Sequence, residues 1–67
     1  MLTLHIFNYS YKIKSLMNSE KQGQIKVEVF DPKNAEEKAC DLLRELKIFL
    51  PYEKLKLNLI EHKTLAI

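Results

Sequence analysis

Residues 23–61 read as strand, helix, strand, and that order constrains the fold more than any other feature of the chain. Ile25, Val27 and Val29 alternate with polar neighbours, the period of a half-buried strand. Asp31-Pro32 ends the run. A charged amphipathic segment continues to Leu50, where Pro51 stops it. Proline removes a backbone donor and disfavours a helical residue before it. Leu55, Leu57 and Leu59 then alternate again, as a second strand.

Upstream, two further alternating runs are out of phase. Leu2, Leu4 and Ile6 occupy even positions, whereas Tyr9, Tyr11 and Ile13 occupy odd ones. A regular strand would send the two sets to opposite faces. Either a bulge or bend near Phe7-Asn8 restores the phase, or residues 1–7 form a separate strand that pairs elsewhere. Residues 18–23 are polar and include the only glycine, which suits a hairpin loop between a strand at 9–16 and one at 24–30. Gly23 is expected to supply a positive φ at the loop end.

The helix has two competing starts. Asp31 before Pro32 offers an N-cap with proline in the first turn. Asn34 followed by Glu37 resembles a capping box. Glu36 and Glu37 come early and Arg44 and Lys47 late, the arrangement that the helix dipole favours. Ala35, Ala39, Leu42, Leu43, Leu46, Phe49 and Leu50 make the apolar stripe, with Leu46 among the core leucines. After the last strand, Leu65 and Ile67 make residues 61–67 either a frayed end or an apolar clip.

The expected fold is therefore α+β, as one domain spanning residues 1–67. A mainly antiparallel sheet of three strands, or four if residues 1–7 pair separately, carries one helix on one face in β-β-α-β order. The strand at 9–16 lies in the middle, and a right-handed crossover joins its two neighbours.

Composition narrows the function classes. The chain has 67 residues, 46% apolar and 30% charged, with a net charge of +2. That is too apolar for disorder. No apolar run, Ile48-Phe49-Leu50 included, exceeds three residues, far short of a membrane span. Residues 1–7 lack a basic leader and a small-residue cleavage site, so they do not read as a signal peptide. The one cysteine, Cys40, cannot form an intrachain disulfide and suits a reducing, cytoplasmic setting. It lies at the edge of the helix stripe beside Asp41, the position of a boundary thiol rather than a nucleophile. His5 and His62 stand far apart in sequence, so a metal site would need scattered ligands, and no cofactor is expected. No phosphate loop, His-Glu helical pair or serine elbow occurs, which argues against an enzyme.

A chain this short buries only about 60% of its unfolded surface. Without disulfide or metal, burial against a partner is the stabiliser left. The first expectation is therefore a non-catalytic protein-interaction module, a homodimer or a component of a larger assembly, with Leu2, Leu4, Ile6 and Phe7 as its interface. The alternative is a nucleic-acid-binding accessory protein, because Lys12, Lys14, Lys26, Lys54 and Lys56 share the sheet face opposite the helix. No central aromatic on that face offers base stacking, which ranks this reading second. The layout itself implies no function.

Overall fold

The computed structural model describes residues 2–17 and 19–67. It is an α+β fold. Strands β1 (Thr3–Lys14), β2 (Glu20–Val29) and β3 (Lys54–Ala66) form one antiparallel sheet in the order β2-β1-β3, and helix α1 (Ala35–Glu45) connects β2 to β3. The long early strand is the centre of the sheet, the place expected for residues 9–16.

β1 is a single unbroken strand. Its pairing with β2 runs without a shift from His5–Val29 to Lys14–Glu20. Neither the bend at Phe7-Asn8 nor a separate strand at residues 1–7 is formed. The phase change in the sequence is real and is left in place. Even residues Leu4 and Ile6 lie on one face, and odd residues Phe7, Tyr9 and Ile13 lie buried on the other. The irregularity sits across the ladder, in β3. Asn8 pairs with Glu61 and Tyr9 with Leu59, leaving Ile60 as the extra residue of a bulge. The bulge reverses which β3 residues face the helix. Leu55, Leu57 and Leu59 do so before it, His62 and Thr64 after it. Residues 61–66 are neither frayed nor a clip; they are the second half of β3.

α1 follows a single turn of 3₁₀ helix at Pro32–Asn34. Asp31 is the working cap: its Oδ1 accepts from the Lys33 N–H at 3.0 Å. Asn34 makes no side-chain cap bond. The helix buries Ala35, Ala39 and Leu43. These lie four residues apart, and each step of four turns the row by roughly 40° about the axis. The helix therefore crosses the sheet obliquely. Leu46 falls about 100° away from the row at its own height and is 63% exposed, whereas Leu43 is 0% exposed. Leu46 is thus a C-cap residue and not a core leucine.

The helix also ends earlier than Pro51 requires. Lys47 adopts φ 60°. The Ile48 N–H donates to the Leu43 carbonyl at 2.9 Å, and the Lys47 N–H to the Arg44 carbonyl at 3.0 Å. This is a Schellman closure with lysine in the left-handed position usually given to glycine. Phe49, outside the helix, then packs on Ile13 and Leu43.

Gly23 has a different role from the one expected. No glycine has positive φ. Gly23 lies inside β2 opposite Tyr11, and a Cβ there would stand 2.6 Å from the Tyr11 hydroxyl. The tyrosine ring covers the bare backbone, as aromatics do over strand glycines. The described turn residues are Leu16 and Met17, closed by Ser15 and Ser19. The Ser15 N–H donates to the Ser19 carbonyl at 3.0 Å and the two serine hydroxyls are 2.6 Å apart. Asn18, part of the expected loop, and Met1, in the expected first strand, lie outside the described residues.

Candidate functional site

The helix does not match the sheet in length. Eleven helical residues span ~16 Å, and twelve strand residues span ~40 Å. The molecule measures 47 × 19 × 16 Å. No second layer covers the face opposite the helix among the described residues, so that face is the candidate site.

Its character changes along the strands. At one end Leu4 pairs with Leu65, and the Ile67 N–H donates to the Leu2 carbonyl at 2.9 Å. Ile6 lies one pair further in, between Glu28 and Lys63. Phe30, one step past the His5–Val29 pair, falls beside Leu4 by alternation and is exposed. Leu2, Leu4, Ile6, Phe30, Leu65 and Ile67 thus make one apolar patch. Charges of both signs flank it, Lys26 and Glu28 on β2, Glu61 and Lys63 on β3. Glu61 and Lys63 form an exposed ion pair at 3.5 Å.

At the other end the face is basic. Lys12 pairs with Lys56 and Lys14 with Lys54, directly across the ladder, and Lys26 pairs with Asn8. All five lysines of the expected face are exposed on it, four of them at this basic end and Lys26 in mid-sheet beside the patch. Like charges in opposed positions cost stability. Tyr52 lines a shallow recess with Lys14, Ser15, Leu16 and Lys54, which puts an aromatic ring at the rim of the basic end.

Of the expected interface residues, Leu2, Leu4 and Ile6 lie in the patch. Phe7 does not. It belongs to the core, 7% exposed, with its ring stacked 4.1 Å from His62 and 5.9 Å from Tyr9. Alternation alone separates Phe7 from Ile6. Leu65 and Ile67 join the patch because the β3 bulge puts odd residues on this face, a shift no local pattern announces.

The helix side carries the remaining chemistry. His5 and His62, 57 positions apart, meet at 3.0 Å between Nδ1 and Nε2. Among the described residues no group of three or more His, Cys, Asp or Glu comes together as a metal cage. Cys40 is half-buried beside Arg44, Phe49, Leu55 and Leu57. Burial pushes its thiol pKa up, against the pull of the Arg44 guanidinium. That is the opposite of an activated nucleophile. Burial and the charge of Glu36 also raise the Tyr9 phenol.

No helix among the described residues is long and apolar enough to cross a membrane. No protein-family model matches this sequence, and comparison with curated proteins and with solved structures finds no match.

Proposed function

We propose that this chain is a small, non-catalytic interaction module that self-associates by packing the apolar ends of two open sheet faces. The carrying observation is the six-residue patch formed by Leu2, Leu4, Ile6, Phe30, Leu65 and Ile67. Surface area points the same way. The chain exposes 5110 Å², against about 4,400 Å² for a compact monomer of its mass. The excess is close to the roughly 800 Å² that each partner buries in a standard interface.

A second copy suits this face because its charges are self-complementary. Glu28 and Lys63 flank Ile6, and Lys26 and Glu61 flank Asn8. A two-fold axis in the interface, along the strands, sets Glu28 against Lys63 of the copy. Two-fold closure is the commonest solution for self-association. The unpaired, half-buried Cys40 supports a cytoplasmic setting.

Sedimentation at micromolar concentration is the test. The wild type should sediment as a dimer, and Leu4→Lys and Leu65→Lys as folded monomers. A wild type that stays monomeric at the highest soluble concentration overturns the reading.

The second reading is phosphate binding by the basic end. The opposed lysine pairs, with Tyr52 at their rim, favour an anionic partner that would relieve their repulsion. Such binding weakens steeply with salt, whereas an apolar dimer does not.

A further inference from the structure

We propose that His5 and His62 form a two-imidazole chelate for a divalent late-transition ion of the copper(II) or nickel(II) class. The site lies on the helix side of the sheet, behind the apolar patch and on the opposite face from it. It is independent of self-association.

The geometry carries the argument. His62 pairs across the ladder with Phe7, and His5 with Thr64, so the two histidines are diagonal neighbours on adjacent strands. Both rings lean over one line of side chains. His62 stacks on Phe7 at 4.1 Å with an interplanar angle of 7°, and His5 lies 5.2 Å from His62 between centroids. Phe7 is fixed in the core, so it holds the His62 ring in place. The β3 bulge at Ile60 turns His62 to this side; without it Glu61 would stand opposite Phe7.

The Nδ1–Nε2 separation is 3.0 Å. Two nitrogens bound to one ion at ~2.0–2.1 Å and at right angles are roughly 2.9 Å apart, the cis spacing of a tetragonal centre. Tetrahedral zinc spreads its ligands further, to about 3.3–3.4 Å, and favours four protein donors. The tetragonal ions accept imidazole and leave their other positions to water. Without metal, one ring donates its proton to the other. Chelation needs a lone pair on both facing nitrogens, so the protons then sit on His5 Nε2 and His62 Nδ1.

Titrating nickel(II) chloride into the chelator-stripped full chain, followed by calorimetry, tests the site. A Cys40→Ser background keeps the thiol out of competition. The expected result is one nickel per chain, with His5→Asn and His62→Phe each weakening binding by roughly tenfold or more, the scale on which changes in the ligand environment alter metal affinity. His62→Phe retains the aromatic stack on Phe7, and an unchanged circular dichroism spectrum confirms that the variant is folded. Wild-type affinity in the folded His62→Phe variant overturns the proposal. So does the absence of nickel binding by the wild type at millimolar metal.

Discussion

Lys21 Nζ lies 3.7 Å from Glu53 Oε2 and donates to the Ile48 carbonyl at 3.2 Å, joining the start of β2 to the loop that follows the helix. Glu53 is buried, and its other oxygen accepts the Leu50 N–H at 2.9 Å. The Glu53 N–H in turn donates to the Leu50 carbonyl at 3.0 Å. Pro51 stands second in that four-residue turn, where its fixed φ is favoured. One carboxylate therefore closes the turn that aims β3 at the sheet.

Glu53→Ala should cost about 1–3 kcal/mol, the penalty for leaving a buried donor unpaired. Lys21→Ala should cost less, within ~1 kcal/mol, because the lysine is half in water and an exposed charge contributes little. Urea unfolding of the two variants checks the order. A larger loss for Lys21→Ala would show that the ion pair, not the turn, is the main contribution.

The two helix leucines separate the core from the cap. Leu43 is fully buried against Ile13 and Phe49, whereas Leu46 faces solvent. Leu43→Ala should lose about 2–5 kcal/mol, enough to unfold most of a domain this small. Leu46→Ala should stay within about ±0.5 kcal/mol, as at ordinary surface positions. Comparable melting shifts would refute the oblique crossing of the helix.

Leu46 also shows where the sequence stops being informative. Its position satisfies the 3.6-residue period as well as Leu43 does, because periodicity marks a stripe and cannot show how the helix crosses the sheet. The strand phases were legible: Ile25, Val27 and Val29 face the helix as their pattern requires, and β1 keeps both of its phases. What was missing was permission for one strand to be apolar on both faces at different points along its length. That arises because the helix covers one part of the sheet and the apolar patch another. Residues 61–66 gave no strand signal, since the bulge at Ile60 breaks their alternation with the leucines before it. The His5–His62 and Lys21–Glu53 contacts depend on register alone, which no sequence spacing reveals. Of the expected site, the lysines and Leu2, Leu4 and Ile6 were readable by alternation. Phe30, Leu65 and Ile67 completed the patch only through the three-stranded pairing.

Lys47 holds a left-handed conformation that costs a non-glycine residue roughly 1–2 kcal/mol. Glycine removes that strain but loses more entropy on folding, roughly 0.5–1 kcal/mol. Lys47→Gly should therefore stabilise the protein by ~0.5–1 kcal/mol, read as a higher urea midpoint. A lower midpoint would mean that this residue does not sit in the left-handed region in solution.

Alkaline pH should destabilise the fold. The Cys40 thiol is raised above its ordinary 9.0 and the Tyr9 phenol above its ordinary 10.0, both chiefly by burial. For each group the unfolded chain gives up its proton first. The stability is fully present below the unfolded value and is lost as pH rises through the folded one. The loss should begin near pH 9 with Cys40 and continue past pH 10 with Tyr9. Cys40→Ala should remove the earlier part and Tyr9→Phe the later part. Melting temperatures across this range decide it, and a Cys40→Ala variant with an unaltered profile would contradict the assignment.

Lys12 and Lys56 stand directly opposite on the open face, so reversing one charge distinguishes stability from function. Lys56→Glu turns a repulsive cross-strand pair into an attractive one and should stabilise the fold by about 0.2–1 kcal/mol. The gain should shrink as salt rises, since both side chains are exposed. Self-association through Leu4, Ile6 and Leu65 should be unaffected, because the substitution lies at the other end of the strands. Binding to a polyphosphate such as single-stranded DNA, if the basic end supports it, should fall together with its salt dependence, as one cation fewer meets the backbone. Sedimentation and a salt titration of DNA binding on the same variant make the comparison. Loss of the dimer with retained DNA binding would reverse the ranking of the two surfaces.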